Sequence, residues 1–209
     1  MKIAILTSSN QWFIPFAKEL NVQIKNSKLF FKHEDINEVF DVLFILSYHL
    51  IIPKKFLNHK HNIVIHASDL PEGKGWAPFF WQILEGKNQI TFSMFEASNE
   101  VDNGDIYMKD ILQLTGYELN EELREKQATF IIKMCLKFLN QYNLYRLPKK
   151  QRGKETFYSK RSQKDSQLDI NKTIKEQFNL LRIVNNIEYP GFFIINGHKY
   201  KLMIEKMEK

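Results

Sequence analysis

The chain has 209 residues, of which 44% are hydrophobic and 26% are charged, and its formal net charge is +6. This balance favours a globular domain with a small appendage and excludes a disordered or fibrous chain. No apolar run reaches the roughly 18–20 residues needed to cross a bilayer, and the first residues lack the features of a signal peptide. A single Cys135 excludes an internal disulfide, so we predict a cytoplasmic protein with no membrane partner.

The distribution of positive charge bears on the class of partner. Many of the lysines and arginines fall within residues 146–164 and the last ten residues. Clustered charge can contact phosphates, so a nucleic-acid-binding protein is one alternative. The preferred interpretation is a solvated linker and tail, because Lys, Asn, Ile and Phe are abundant throughout the chain. No nucleic-acid partner is therefore predicted.

The first two thirds of the chain alternate between short apolar runs and amphipathic segments. Continuous apolar runs are typical of strands buried on both faces, and a 3.6-residue period indicates helices. The predicted strands are 2–6, 41–46, 62–66 and 90–96, and the predicted helices are 12–20, 78–84 and 121–140. Asn10 is the predicted N-cap of the first helix, and Gly86 is predicted to end the second helix as its C-cap. The alternation predicts a doubly wound α/β domain with a mostly parallel sheet over residues 1–145.

The pattern changes after residue 145. Residues 147–153 have the polarity and the Pro and Gly content of a connector. A helix is predicted over 174–184, and Asn196-Gly197 between two β-rich runs predicts a hairpin. We therefore predict a small C-terminal subdomain of helix and hairpin over residues 150–209. The hairpin is a candidate contact for a homodimer.

Titratable residues follow two of the buried strands, where ligands of open α/β sheets bind. His66 ends one strand and His49 follows another, and a histidine there can shuttle a proton near neutral pH. Asp102 lies in the Asp-Asn-Gly-Asp turn that ends at Asp105. Each of these residues, taken alone, has an ordinary structural alternative as a loop or turn residue. Neither a glycine-rich phosphate loop nor a metal-ligand spacing is present, so no metal is predicted.

Three blocks of sequence resemble the signature of folate-dependent formyltransferases. They are His66-Ala-Ser-Asp-Leu-Pro71, Lys74-Gly-Trp-Ala-Pro78 and Val101-Asp-Asn-Gly-Asp-Ile106. They come in the family's order and spacing, and Ser47-Tyr-His-Leu-Ile-Ile-Pro53 matches the family segment that holds the pterin ring. The resemblance covers about residues 41–110, and three ordered blocks are far more specific than any one of them.

The resemblance implies the same α/β fold and the formyl donor N10-formyltetrahydrofolate. It implies that His66 acts as general base at the attacking amine and that Asp102 is the essential aspartate paired with it. The residues it places around the donor are His49, Leu50, Ile51, Ile52, Ala97 and Val101. A flat apolar pocket with backbone hydrogen bonds suits a pterin.

Val64 departs from the family pattern, which has an asparagine two residues before the catalytic histidine. That amide normally polarises the formyl carbonyl, and loss of one such donor costs about 10²–10³ in rate. Asn103, His49, Asn62 or a water are the candidate replacements. A weakly active or inactive folate-binding homologue is the remaining alternative.

The acceptor amine is inferred from the tail. Residues 158–161, 165–169, 180–182 and 189–193 resemble the tail of sugar-nucleotide formyltransferases, in particular those acting on a UDP-4-amino-4,6-dideoxy sugar of the pseudaminic-acid type. Related formylation domains act on aminoacyl groups, so that acceptor stays open. Such a substrate needs cations for its diphosphate and aromatic faces for uracil. The candidate substrate-binding residues are Lys74, Trp76, Lys160, Arg161, Arg182 and Tyr189.

Overall fold

The computed structural model describes residues 1–207; residues 208 and 209, the end of the predicted C-terminal subdomain, lie outside the described residues. The elements, in chain order, are β1 Ile3–Leu6, α1 Ile14–Gln23, β2 Lys28–Phe30, β3 Val42–Ile45, β4 His61–His66, β5 Lys74–Gly75, α2 Pro78–Leu84, β6 Gln89–Glu96, β7 Ile106–Gln113, α3 Asn120–Asn140, α4 Tyr142–Tyr145, β8 Phe157–Tyr158, α5 Phe178–Ile183, β9 Gly191–Ile195 and β10 His198–Leu202. Short 3-10 turns lie at His33–Asp35, Lys54–Phe56 and Gln163–Ser166.

A six-stranded sheet forms the centre of the molecule, in the order β2-β1-β3-β4-β6-β7. The first four strands pair in parallel, whereas β6 pairs antiparallel to β4 and to β7. Because β1, β3 and β4 run in the same direction, their carboxyl ends meet at one edge of the sheet. The predicted α/β class with a mostly parallel central sheet is confirmed.

The two faces of the sheet are covered differently. Apolar side chains of α1, α2 and α3 pack on one face and form the larger core cluster with β1, β3, β6 and β7. The other face carries the alternate residues Ala4, Leu6, Leu43 and Ile45, and loop residues cover it. Strands buried on both faces explain the continuous apolar runs of β1 and β3.

Some local predictions are wrong at element ends. Helix α1 begins at Ile14, and its N-cap is Phe13 with no side-chain hydrogen bond. Asn10, the predicted cap, lies in a turn with φ 59°. Helix α5 covers only Phe178–Ile183, shorter than the predicted 174–184. Strands β2 and β7 were not predicted, because β2 has three residues and the outer end of β7 mixes exposed and half-buried positions.

The C-terminal residues are tied to the sheet domain at several points. Lys149 forms a β-bridge with Ile106, and β8 pairs with β5. Strands β9 and β10 form the predicted hairpin around Asn196-Gly197, and Leu168 donates a backbone hydrogen bond to Phe192. The division into residues 1–145 and 150–209 stays a prediction.

Candidate active site

His66 and Asp102 lie together at the carboxyl edge of the sheet. His66 is the last residue of β4, and its Nε2–H donates to the carbonyl oxygen of Gly73 at 2.9 Å. A carbonyl oxygen only accepts, so the neutral ring carries its hydrogen on Nε2 and its free lone pair on Nδ1. Asp102 Oδ2 lies 3.6 Å from the same Nε2, and the side chains are 11% and 13% exposed. The two side chains are thus adjacent and largely shielded from solvent.

The turn that carries Asp102 is held from two sides. The backbone N–H of Gly75 donates to Asp102 Oδ2 at 2.9 Å. Gln151 Nε2 donates to the backbone oxygens of Asp102 and Gly104, both at 2.8 Å. Asp102 itself has φ 53°, in the left-handed region that short polar residues tolerate. The carboxylate is therefore positioned by backbone and side-chain contacts before any substrate binds.

Gly104 allows this turn to fold back onto the end of β6. A Cβ at this position would lie 1.6 Å from the backbone oxygen of Glu96, so only glycine fits. The adjacent Asp105 accepts a backbone hydrogen bond from Glu96 at 2.9 Å. Gly104 thus packs the Asp-Asn-Gly-Asp turn against β6, while Asn103 stays exposed.

Lys74 has a different role from the predicted one. Its side chain is 2% exposed, and Nζ donates to Asn103 Oδ1 at 2.8 Å and to Glu155 Oε1 at 2.6 Å. The ammonium therefore holds the turn next to Asp102 and is not free to contact substrate. Glu155 and Gln151 were missed in the sequence, because an isolated polar residue in a connector carries no pattern that points to the turn.

The segments predicted to hold the donor meet on one face of the sheet. Ile52 and Ala97 pack on the same small apolar cluster as Val64. Beside it, Leu50, Ile51 and Val101 expose 51%, 81% and 60% of their surface. These side chains leave an uncovered apolar surface on two loops, and their contact with a donor stays a prediction.

A cavity of about 440 Å³ lies at the carboxyl edge of the sheet. His49 and Leu50 line it together with Ser8, which follows β1, and Lys32, which follows β2. The hydroxyl of Ser8 accepts the backbone N–H of His49 at 3.0 Å. This contact fixes the start of the predicted donor-binding segment against the first strand.

The structure separates the candidates that could replace the amide missing at Val64. Asn62 Nδ2 donates to Glu96 Oε1 at 2.9 Å and to the backbone oxygen of His59 at 3.1 Å, so it is committed elsewhere. Asn103 Nδ2 donates one hydrogen bond to the Glu100 carboxylate, and its Oδ1 accepts from Lys74. The ring of His49 is exposed and forms no hydrogen bond within residues 1–207.

A buried polar network at the other end of β4 was missed in the sequence. Tyr107 donates to the Glu96 carboxylate and contacts His61 Nδ1 at 2.9 Å, and His61 Nε2 contacts the Tyr142 hydroxyl at 2.8 Å. Burial raises the pKa of Glu96 despite its hydrogen bonds from Tyr107 and Asn62, and burial lowers the pKa of His61. The network joins β4, β6, β7 and α4 below the candidate site.

The predicted acceptor-binding residues do not form a single group. Trp76 is 50% exposed directly after Gly75, and Lys160 Nζ lies 5.0 Å from the centre of its ring. Tyr189 is 43% exposed in the turn before β9. Arg161 is half-buried near Trp81, with its Cζ 5.9 Å from the ring.

The prediction that Arg182 contacts substrate is wrong. Its side chain is 1% exposed, and Nη2 lies 3.2 Å from Glu118 Oε2. The same guanidinium donates to the backbone oxygen of Glu118 and to Asn88 and Asn179, each at 3.2 Å. The N–H groups of the guanidinium are used in these contacts. Arg182 therefore joins α5 to the segments around Asn88 and Glu118.

A comparison with known protein families identifies the family of this chain. The formyl transferase family model matches residues 25–138, more than half of the chain and the whole segment that carries His66 and Asp102. The chain belongs to the formyl transferase family. The motif blocks on which this membership was predicted are the ones that form the candidate site.

Individual relatives and structures differ in their named acceptors. Methionyl-tRNA formyltransferase of Mycoplasma capricolum is 27% identical over 172 residues, which are 80% of this chain and 54% of that protein. Methionyl-tRNA formyltransferase from Clostridium thermocellum has a TM-score of 0.82 at 20% identity, covering 100% of this chain and 94% of that one. A 4-N formyltransferase from Francisella tularensis has a TM-score of 0.72 at 19% identity, covering 100% and 98%. The chain spans about half the length of the curated relatives it matches.

Two further properties concern the described residues only. Residues 1–207 contain no group of three or more His, Cys, Asp or Glu side chains arranged to hold a metal ion. Among the helices of that same range, none is long and apolar enough to cross a membrane.

Proposed function

We propose that this formyltransferase-family protein transfers a formyl group from N10-formyltetrahydrofolate to the amine of a nucleotide-linked amino sugar. The observation that carries the proposal is the approach of Asp102 Oδ2 to within 3.6 Å of His66 Nε2 at the carboxyl edge of the sheet. A general base beside a fixed carboxylate is what removal of a proton from an amine requires.

The proposed proton path uses the two ring nitrogens of His66 differently. Nε2–H stays bonded to the Gly73 carbonyl, which fixes the ring, and Nδ1 accepts the proton of the attacking amine. The ring is then positively charged, and the Asp102 carboxylate stabilises it. Since Gly75 donates to that carboxylate, its position does not depend on the protonation of the ring.

The formyl donor, when bound, supplies the one-carbon group. Leu50, Ile51 and Val101 would cover the faces of its ring, with Ile52 and Ala97 as the apolar floor beneath. His49, whose ring is exposed at the same edge, is the proposed hydrogen-bond donor to the formyl oxygen in place of the amide absent at Val64.

The acceptor would approach from the side of Trp76. Lys160 Nζ lies over the Trp76 ring, and Trp76 directly follows Gly75, whose backbone N–H donates to Asp102. A cation and an exposed aromatic face suit the diphosphate and base of a UDP-linked 4-amino-4,6-dideoxy sugar of the pseudaminic-acid type. Arg161 and Tyr189 remain further proposed acceptor-binding residues.

Formylation of an aminoacyl group on tRNA is the second candidate. The named function of the curated relatives favours it, since several of them are methionyl-tRNA formyltransferases. The positive charge of +6 would also serve an RNA substrate.

We further propose that residues 1–145 are the catalytic domain and that the residues from 150 onward form an accessory subdomain. Its hairpin exposes Ile194, Ile195 and Tyr200 by 40%, 41% and 48%. A second copy of the chain could cover this apolar surface, which would give a homodimer.

The acceptor class is tested by incubating the full chain with N10-formyltetrahydrofolate and either UDP-4-amino-4,6-dideoxy sugars or methionyl-tRNA. Mass spectrometry of the products should show one added formyl group on the amino sugar, and an active known formyltransferase provides the positive control for the donor. Formylation of methionyl-tRNA alone would replace the proposed acceptor with the second candidate. No formylation of either, with folate still bound, would identify a binding protein without turnover.

A further inference from the structure

Thr156 holds the backbone on both sides of Gly73. Its hydroxyl oxygen accepts the N–H of Gly73 at 2.8 Å, and its carbonyl oxygen accepts the N–H of Lys74 at 2.9 Å. The Lys74 N–H belongs to the same peptide group as the Gly73 carbonyl, and this carbonyl accepts from His66 Nε2 at 2.9 Å. Thr156 therefore fixes the peptide group that orients the imidazole ring of His66.

Gly73 has little room to move away from this position. It is buried with φ +72°, and a Cβ there would lie 2.9 Å from Ser68 Cβ and 3.0 Å from Tyr158 Cε2. Ser68 lies in the motif block that begins at His66, and Tyr158 closely follows Thr156 in the chain. The carbonyl that accepts from His66 is thus held between the end of β4 and the segment that carries Thr156.

Gln151 holds the turn of the second member of the pair. Its Nε2 donates to the carbonyl oxygens of Asp102 and Gly104, both at 2.8 Å. Oε1 of the same amide is buried and has no hydrogen-bond partner within residues 1–207. A buried amide oxygen left unpaired is unfavourable. The amide therefore stabilises the fold less than its two hydrogen bonds suggest, and its clearest consequence is the position of the turn.

One short segment, residues 151–158, thus reaches both members of the catalytic pair. Thr156 reaches His66 through a single peptide group, and Gln151 contacts the backbone of Asp102 directly. His66 ends a strand whereas Asp102 lies in a turn, so their approach to 3.6 Å needs a common support. A displacement of about 1 Å at such a pair can lower a rate about 10²-fold.

We propose that Thr156 and Gln151 are positioning residues that hold His66 and Asp102 in their arrangement for formyl transfer. This inference rests on the proposed function and deepens it, because it gives residues beyond the proposed domain boundary a part in the reaction. Thr156 keeps the ring hydrogen of His66 on Nε2, which leaves the lone pair of Nδ1 free for the proton of the attacking amine. Gln151 keeps the Asp102 carboxylate beside that ring.

Nitrogen-15 NMR of the histidine-labelled full chain tests the part assigned to Thr156. His66→Ala identifies the resonances of His66 by their loss. At a pH where the ring is neutral, we expect the unaltered chain to show His66 with its hydrogen on Nε2 and none on Nδ1. In Thr156→Val a methyl group covers the Gly73 N–H without accepting from it. The shifts of the two His66 ring nitrogens should then move towards each other, because the two tautomers exchange.

The kinetics of formyl transfer give a second measurement on the same variants. Thr156→Val should lower kcat about 10- to 100-fold at an unchanged Michaelis constant for the donor. Thr156→Ser keeps the hydroxyl and should restore both the rate and the tautomer. Thr173→Val is the matched control, because the Thr173 hydroxyl accepts the backbone N–H of Glu176 at 3.2 Å in the segment before α5. The same chemical change there should alter neither measurement.

Gln151→Met tests the part assigned to Gln151. It keeps the length of the side chain and removes the N–H donors together with the unpaired Oε1. We expect kcat to fall about tenfold, while the temperature of unfolding changes little because the two effects on stability offset each other. Gln113→Met, at an exposed position of β7, is the control. A loss of stability without a loss of rate would overturn the part assigned to Gln151.

An unaltered His66 spectrum together with an unaltered rate in Thr156→Val would overturn the proposal. If that variant does not fold, Thr156→Ala, which removes the same hydroxyl, carries the test with the same expected directions. The spectra need no turnover, so the outcome is separable from that of the proposed function. A tautomer that depends on Thr156 in a chain that formylates no amine would contradict formyl transfer and support the hold on His66. Formylation at an unchanged kcat in Thr156→Val and Gln151→Met would do the reverse.

Discussion

The backbone N–H of Gly75 donates to the carboxylate of Asp102 at 2.9 Å, so a glycine of one motif block positions the acid of another. Gly75 has φ +94°, and a Cβ there would lie 2.5 Å from the backbone oxygen of Tyr158. The Lys74-Gly75-Trp76 block thus positions Asp102 through a backbone N–H group.

Gly75→Ala should displace β5 from β8 and lower the rate of formyl transfer at least tenfold. Gly197→Ala is the matched control, since Gly197 has φ +81° and a Cβ placed there would meet nothing within 4 Å in residues 1–207. Both changes carry the same left-handed backbone cost of about 1 kcal/mol, and only the first adds a clash. Equal rates for the two variants would show that the contact does not position Asp102.

Asp102→Asn should keep the hydrogen bond from Gly75 and remove the negative charge beside His66. We expect formyl transfer to fall about 10²–10⁴-fold, the usual scale of a general-base contribution, with folate affinity little changed. Steady-state rates and folate titration by fluorescence measure the two effects separately. An unaltered rate would mean that the charge of Asp102 has no part in stabilising the imidazolium.

Glu118 should make the protein sensitive to acid. Burial raises its pKa, but hydrogen bonds from the Thr115 backbone, its own backbone and Lys126 outweigh this effect and set the pKa at about 2. A carboxyl whose pKa is lowered by folding stabilises the fold above its unfolded pKa near 4.5, and this stability is lost as pH falls towards 2.

Glu118→Gln should therefore flatten the dependence of unfolding free energy on pH between about 4.5 and 2. It should also lower stability at neutral pH by about 3–5 kcal/mol, because Arg182 loses its buried partner. Urea unfolding at several pH values gives both quantities. Glu125→Gln, at an exposed position of helix α3, which begins two residues after Glu118, is the control and should change neither.

Val64→Asn would place an amide in the apolar cluster formed with Ile52 and Ala97. We expect a loss of about 1–3 kcal/mol in stability from the unpaired amide and no gain in the rate of transfer. Val64→Thr, similar in volume, controls for the change of shape. A rise in rate of about 10² or more would show instead that the site lacks a formyl-oxygen donor that the amide supplies.

The sequence predicts the central sheet well, for a physical reason. Strands β3 and β4 are apolar at successive positions because both faces of the sheet are covered, and that pattern needs no tertiary information. The three residues of β2 carry no comparable signal, and their pairing with β1 becomes visible only in the fold. Helix α5 is shorter than predicted, and Ile174, at the start of the predicted helix, is 73% exposed.

The site can be predicted only in part. His66 and Asp102 stand out because each of them lies in a motif block of consecutive residues. The sequence favours a substrate contact for Arg182 because its partner Glu118 lies 64 residues away, and a distant ion pair leaves no local pattern.

The most direct measurement of the central claim is formyl transfer by His66→Ala beside the unaltered chain. The acceptor is the one that the unaltered chain formylates, and circular dichroism and folate binding verify that the variant is folded. We predict that transfer falls below a few per cent of the unaltered rate, roughly the loss expected when a general base is removed. A folded variant that keeps more activity than this would contradict the assignment of His66 as the base.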